Sequence, residues 1–544
     1  MKKTIAILLV AVLAVSSVFA GFSGKATVGL GYNWETKEYG FSNGTGFDVD
    51  VDLTTAEADK VAEGDIYAGI KATMGVKVAN QAKQDKGLEL WNSKDKADKN
   101  YGLGLFLKVA EAYVAGENWK VSITGTQGAT SYAKSFTTHK EAVEDVFGNK
   151  TTDTKDVADD VTGAFAFNKA PGVTVEVAGY KASVGFNGSE DAKREAKIDV
   201  LTYTEIKKDG QVIGNVINGT EESAKKELGK FFNYNVLVET PSYDVNGLSL
   251  QAAVGASRKV DNYKSDTKEG SVGVKDLLGL KLPVPKFYQF ALNTSAKVGY
   301  STDALSVAVA ADLDMIQYGE KDTIITYKSP FEANKNLAII VDDTLYTYFD
   351  ASAKVAFAPV TVDAYYGLDG YVAKLFKDAP SKQKTVAHTL SAQVTTDLAA
   401  FDLPVKVTVW GKDILNTMDY GAKAEVTIDA IKLGVNGGYV IDPELVKKFS
   451  DENLGKYYLG ADVEYTNDLF TAKAGVGFNS YVAKGLENAA QLTLKASVES
   501  EAIIPGATLK LAYGAADGDQ NLLKDQKKVA QNLGKVEATC TIKF

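Results

Sequence analysis

The chain has 544 residues, with 60 Lys and Arg against 70 Asp and Glu, a formal net charge of −10, 49 Gly, 27 Tyr, 10 Pro and one Cys. The acidic balance argues against nucleic acid as a partner, because binding through counterion release needs a basic face. A lone cysteine excludes an intramolecular disulfide framework, so something other than sulfur must stabilise the chain.

Met1-Lys2-Lys3 is a short basic start, Thr4 to Val15 is an apolar run, and Val18-Phe19-Ala20 supplies small residues where a signal peptidase reads. The run is too short for a membrane span and a cleavage site follows it, so residues 1–20 read as a secretory signal peptide cut between Ala20 and Gly21. No cysteine sits at that site, which argues against a lipid anchor. Loss of Lys2 and Lys3 leaves 58 basic residues against 70 acidic ones, a net of −12 for residues 21–544.

From Gly21 onward the pattern is period 2. Phe22, Gly24, Ala26, Val28, Leu30, Tyr32 and Trp34 share one face of the first strand, against Ser23, Lys25, Thr27 and Asn33. Phe47 to Leu53 alternates apolar residues with Asp48, Asp50 and Asp52. This acid triplet lacks the glycine and glutamate of a calcium loop, and its valines continue a strand. The three aspartates therefore read as one solvated strand face, which in a barrel lines the lumen and biases permeation toward cations. Ile66–Val78 repeats the alternation, as do Val173–Val177, Tyr180–Phe186, Leu248–Ala256, Phe290–Tyr300, Leu305–Met315, Phe349–Phe357, Val360–Leu368 and Val386–Val394. Val405–Val409, Tyr420–Ile428, Ile431–Tyr439, Leu459–Tyr465, Phe470–Phe478, Leu492–Val498 and Ala507–Tyr513 continue it. Roughly 20–22 such segments approach the ~9–11 residues that cross a bilayer as tilted strands.

Two classes of connection separate them. Asp429-Ala430, Asn467-Asp468 and Ser301-Thr302-Asp303 are tight hairpin turns. Ala79–Asn100, Gln127–Asp160, Gly188–Lys230, Lys259–Pro285, Gln317–Thr344, Phe376–Lys384 and Ala515–Gly534 are long polar insertions, expected to be extracellular. Val274–Leu282 and Leu522–Leu533 have apolar spacing suited to a short helix, which in either case folds into the lumen or lies at the rim. Tyr32, Trp34, Tyr300, Tyr439, Tyr465, Phe478 and Tyr513 fall at strand ends, where interfacial aromatic belts form.

No catalytic or cofactor site is legible. His139 lies in a long loop, His388 alternates in phase with Val386 and Leu390, and neither meets the single Cys540 in a metal-binding or nucleophilic spacing. Nucleophile-elbow and phosphate-loop motifs are absent. The chain finishes on Lys535 to Phe544, with Val536, Ala538, Cys540, Ile542 and Phe544 on one face and Glu537, Thr539, Thr541 and Lys543 on the other. A terminal strand frays unless it is paired, so this one is expected to close a sheet. Its form resembles the assembly signal of outer-membrane barrels, which implies the barrel assembly machinery as a partner.

The signal peptide, Leu107–Gly125, Lys169–Phe186, Val407–Ile414 and the final T-C-T-I-K-F resemble the treponemal major outer sheath proteins of spirochaete outer membranes. The resemblance implies a pore-forming homo-oligomer, a trimer among the candidates, that also binds host matrix proteins such as fibronectin. The expected fold is all-β: one large antiparallel transmembrane barrel in outer-membrane lipid, with long extracellular loops. A C-terminal barrel with a periplasmic N-terminal β region, divided near residue 230, is the alternative. The expected function is a diffusion channel for small hydrophilic solutes without cofactor or catalysis. The rival is a surface adhesin that uses the barrel only as an anchor.

Overall fold

Period-2 segments this numerous cannot remain in lipid with open edges, because each unsatisfied backbone group there costs several kcal/mol. The computed structural model resolves that constraint by ring closure. It describes residues 22–34, 37, 39–41, 46–54, 66–80, 88–89, 101–124, 130–144, 150–162, 172–187, 195–227, 233–258, 288–318, 323–328, 336–341, 344–369, 387–416, 418–441, 455–482, 490–514, 520–524, 526 and 530–543.

The ring begins with β1 (Phe22–Asn33), β2 (Gly46–Thr54), β3 (Tyr67–Asn80), β4 (Tyr101–Ala115), β5 (Trp119–Thr124), β6 (Gly172–Val177), β7 (Tyr180–Asn187) and β8 (Asn233–Glu239). It continues through β9 (Leu248–Arg258), β10 (Tyr288–Ser301), β11 (Ser306–Tyr318), β12 (Thr344–Phe357), β13 (Val360–Asp369), β14 (Ala387–Asp397) and β15 (Val405–Lys412). The last seven are β16 (Asp419–Ile428), β17 (Ile431–Ile441), β18 (Gly455–Thr466), β19 (Thr471–Val482), β20 (Ala490–Ile504), β21 (Ala507–Gly514) and β22 (Lys535–Lys543). Each pairs antiparallel with the next. β22 returns to β1 in register from Asn33↔Lys535 to Lys25↔Lys543, so the sheet is a closed barrel of 22 strands. β7 pairs with β8, so strands on both sides of residue 230 belong to one ring.

The tightest connections between ring strands fall on one rim, while the opposite rim also carries the six-residue link 413–418 between β15 and β16. Ala178-Gly179, Asn246-Gly247, Asp429-Ala430 and Asn467–Phe470 lie on the first, with the start of β1 and the end of β22. Asn246-Gly247 has positive φ at both residues (51° and 82°), the geometry that a two-residue hairpin turn demands and that Asn-Gly tolerates. The long insertions all leave from the opposite rim. Three carry their own hairpins: Thr138–Glu144 with Lys150–Ala158, Glu195–Lys208 with Gln211–Glu227, and Thr323–Lys328 with Asn336–Val341. The helix expected over Leu522–Leu533 does not form among the described residues there. Instead Asn521 and Asn532 bridge, and Leu522 N donates to Leu492 O at 2.9 Å. This segment satisfies the part of β20 that extends beyond the end of β21. Val274–Leu282 and Phe376–Lys384 lie outside the described residues, as do Ala20, Gly21 and Phe544.

Register sorts the two faces. Leu30 opposes Ala538, Val28 opposes Cys540 and Ala26 opposes Ile542, while Val536 opposes Tyr32. These apolar residues point outward, and exterior side chains such as Leu459 remain 63% exposed because nothing of the protein covers them. Outward aromatic pairs mark both rims: Tyr32–Trp34 at 4.7 Å and Tyr439–Tyr457 at 4.8 Å on the long-loop side, Tyr465–Phe470 at 5.8 Å on the other. Tyr457 and Tyr465 end the same stretch of β18, eight residues apart, which is roughly 20 Å of height for a strand tilted ~40°. His388 keeps the outward phase and meets the Tyr366 hydroxyl at 2.9 Å through Nδ1. No helix among the described residues is long and apolar enough to cross a membrane.

Cys540 opposes Val28 and Leu509 within the apolar band. A membrane-impermeant maleimide is therefore expected to leave it unlabelled in folded, vesicle-inserted protein and to label it after heat unfolding in detergent. Labelling of the folded barrel at the unfolded rate would place this face of β22 in water.

Candidate pore constriction

A ring of 22 tilted strands spans on the order of 40 Å between opposite backbones, far wider than a small solute. Among the described residues, the part of the chain that lies inside the ring belongs to the connection between β5 and β6. Residues 130–137 and 159–162 lie against the lumen face of β8–β13, fastened by side chains of the wall. Asp312 accepts from Tyr132 N at 3.0 Å, Ala133 N at 2.7 Å and Ser131 Oγ at 3.0 Å. Asp350 accepts from Thr162 N at 2.7 Å, from the Thr162 hydroxyl, and from Tyr365 Oη at 2.7 Å. Tyr365 Oη in turn accepts from Val161 N at 2.9 Å. Thr130 Oγ1 donates to Glu239 at 2.8 Å, Ser295 Oγ donates to Thr130 O at 2.6 Å, and Lys134 N donates to Ser352 Oγ at 3.2 Å.

The two acidic anchors sit directly opposite each other in the β11–β12 register. Like charges at such positions repel, and both are almost fully buried, Asp312 at 1% exposure and Asp350 at 0%. Backbone N–H groups of the inward segment supply the compensation that burial of a carboxylate requires. Close approach also depends on Gly367, where a Cβ would lie 2.6 Å from Val161 Cγ2. Within the segment, Asp160 ties the two runs together, accepting from Ser135 N at 2.7 Å and pairing with Lys134 Nζ at 2.9 Å. Burial, with the Glu239 and Asp312 carboxylates nearby, pushes the Tyr132 phenol above its ordinary value. It stays a neutral ring, with Lys297 Nζ 5.4 Å from its centroid.

This arrangement corrects the expectation that Gln127–Asp160 is wholly extracellular: about the hairpin Thr138–Glu144/Lys150–Ala158, both flanks run inside the bore. Polarity alone cannot separate a segment facing water outside from one facing water within. The available signal was Asp312, in lumen phase and flanked by the apolar Ala311 and Leu313, opposite a second acid on the neighbouring strand.

Across the bore, Phe136 of the inward segment faces the wall formed by β14–β18. Between them lies a cleft of about 600 Å³ lined also by Gln393, Thr408, Trp410, Lys412, Asp419, Lys423, Asn436, Tyr458 and Asp462. Trp410 and Tyr458 lie flat on the wall because their neighbours are glycines. A Cβ at Gly421 would sit 2.5 Å from Trp410 Cζ2, and one at Gly438 would sit 2.6 Å from Tyr458 Cζ. Both rings turn their polar edge to one carboxylate, Asp419, from Tyr458 Oη at 2.8 Å and Trp410 Nε1 at 3.4 Å.

Asp48, Asp50 and Asp52 take the lumen phase, but each is answered. Asp48 opposes Lys25, Thr73 Oγ1 donates to Asp50 at 2.7 Å, and Lys71 Nζ lies 3.8 Å from Asp52. Similar pairs recur around the wall, with Lys473–Glu464 at 3.0 Å and Lys423–Glu425 at 2.7 Å. The aspartate triplet is thus part of a mixed-charge lining, not an unbalanced acidic stripe. It lies on β2, away from the cleft. Val536, Ala538, Cys540 and Ile542 stand on the closing seam and take no part in the lumen. No group of three or more His, Cys, Asp or Glu placed to hold a metal occurs among the described residues.

No family model and no curated protein matches the chain. Among solved structures, the outer membrane protein OpdK from Pseudomonas aeruginosa aligns at TM-score 0.33 and 7% identity, over 97% of this chain and 99% of that one. OccAB1 of Acinetobacter baumannii aligns at 0.33 and 8%, over 96% and 95%. The translocation pore of the P pilus usher PapC aligns at 0.33 and 9%, over 96% and 99%. At these values the likeness carries no argument about activity, and the architecture stands on the chain's own strand pairing.

Asp350→Ala leaves Thr162 N and the Tyr365 hydroxyl without their acceptor, at a cost of about 1–3 kcal/mol per stranded buried group. The expected outcome is an intact barrel whose segment 130–162 becomes protease-sensitive. Unchanged protection of that segment would mean that Asp350 does not hold it.

Proposed function

We propose that the chain is an outer-membrane porin, an aqueous diffusion channel for small hydrophilic solutes whose bore is set by residues 130–137 and 159–162. The observation that carries this reading is the fastening of a polar segment inside a closed barrel with a hydrophilic wall. A barrel that served only as an anchor has no need of a narrowed, water-lined interior. Transport needs no chemistry: the polar wall keeps water continuous, the inward segment fixes the size limit, and fixed charges bias the ions. Lysines in register with the acids reduce the cation preference that Asp48, Asp50 and Asp52 alone would give. By the general rule that short turns face the periplasm, the long-loop rim faces outward.

An adhesive role belongs to the same molecule on this reading. Its support is the collection of all long insertions on one rim, where the hairpin Glu195–Lys208/Gln211–Glu227 stands apart from the ring. Host matrix protein would bind there, separately from the pore.

Planar-bilayer recording tests the proposal. Folded protein is expected to give stable steps, removal of residues 130–137 to raise the step size, and trimming of the hairpin at Asp209-Gly210 to leave it unchanged. Folded, heat-modifiable protein without conductance would reject the channel, and a step size indifferent to residues 130–137 would reject the constriction.

A further inference from the structure

We propose that the cleft between Phe136 and the β14–β18 wall is a subsite for neutral sugars, short linear oligosaccharides above all. This rests on the channel reading and names the solute class that the constriction selects. Its volume, about 600 Å³, falls in the ~300–1,000 Å³ range of small-molecule sites.

Four observations converge on that chemistry. First, the wall presents flat carbon faces. Tyr458 lies over Gly438 and Trp410 over Gly421, their polar edges spent on Asp419; Lys412 Nζ lies 5.3 Å over the Trp410 ring, where a sugar would displace it, and Phe136 stands opposite. A pyranose ring has apolar C–H faces and a hydroxylated rim, so it stacks on such surfaces while its edge stays hydrogen-bonded. Second, both signs of charge are mixed in the lining, Lys412 and Lys423 with Asp419 and Asp462, so it is not built for an ion of one sign. Third, the lining offers both donors and acceptors, through Gln393, Thr408, Lys412, Asn436 and Asp462. A hydroxyl both donates and accepts and can use either kind.

The fourth observation separates a sugar from a small zwitterion. Asp419 is occupied by the Trp410 and Tyr458 donors, and Lys423 is paired with Glu425 at 2.7 Å. The remaining opposite charges are Lys412, whose Nζ lies 5.3 Å from the Trp410 ring centroid, and Asp462. In the strand register Asp462 lies level with Lys406, six residues from Lys412. That is ~20 Å along the strands, too far for the two ends of an amino acid or dipeptide. A short linear chain of sugar rings spans such a length, running obliquely to the barrel axis as the strands do.

The test titrates single channels with maltotriose and cellotriose, using size-matched polyethylene glycol and glycylglycine as controls. Tryptophan fluorescence of the detergent-folded barrel is followed in parallel. A saturable block by at least one trisaccharide is expected, with no saturation by either control. Trp410→Ala is expected to raise the half-blocking concentration roughly two- to tenfold, the loss that removal of one stacking face of ~0.5–1.4 kcal/mol corresponds to. Asp462→Asn, which keeps shape and fold, should raise it as well. Polyethylene glycol blocking as well as the sugars, glycylglycine saturating at lower concentration, or both variants titrating like the parent would overturn the subsite. Conductance without saturable sugar block would do the same while leaving the channel in place. Saturable fluorescence quenching in a barrel that never conducts would reject the channel and keep the subsite.

Discussion

Satisfaction of backbone hydrogen bonds is the constraint on which the rest of this structure depends. In hydrocarbon an unpaired N–H or C=O costs several kcal/mol, and a sheet of any size has two edges. Closure of β22 on β1 removes both at once. It also explains how a chain with one cysteine and no helix-sized apolar segment holds together. Cross-links are unnecessary where every strand is clamped by two neighbours. The alternation of side chains then follows from the pleat, with apolar residues turned to lipid and polar ones to the bore.

Closure with 22 strands creates the second problem, a bore wider than any selective pore. The molecule answers it with the connection between β5 and β6, and the fastening reverses the usual relation between loop and wall. The wall supplies carboxylates, Asp312 and Asp350, and the inward segment supplies backbone N–H donors. Two buried acids facing each other would destabilise β11–β12 if left alone, and a run of backbone without strand partners would be just as costly. Each group supplies what the other lacks. Strand pairing, constriction and cleft are thus consequences of one requirement applied at successive radii, first at the lipid face, then at the wall, then at the inward segment.

Much of the ring was legible because period 2 is a local signal. The strands that escaped it are those where locality fails. Tyr101–Ala115 is paired to β3 through a register shift between Lys71 and Ala72, which throws its alternation out of phase part-way along. Trp119–Thr124 follows Tyr101–Ala115 after only three residues, so its alternation reads on from the preceding strand without a visible boundary. Asn233–Glu239 is cut off from its short continuation, Tyr243–Val245, by Pro241, which has no N–H to give to the ladder. The inward segment was not legible in its own residues, since the water inside a pore and the water outside a cell select the same side chains; the one signal stood on the wall, in Asp312 opposite Asp350. The cleft was half legible: Trp410 and Tyr458 stand in lumen phase among polar neighbours, but the glycines that let them lie flat are on other strands, and only register brings them together.

The central claim is that residues 130–137 are held against the inner wall at β12, and a disulfide reports it most directly. Lys134→Cys with Ser352→Cys, in a Cys540→Ala background, joins positions whose backbone and side chain meet at 3.2 Å. The account predicts spontaneous cross-linking in folded, membrane-inserted protein, with the step conductance of the parent retained. Absence of the cross-link, together with ready modification of the thiol introduced at position 134 by an impermeant reagent from the long-loop side and a conductance indifferent to it, would contradict the account.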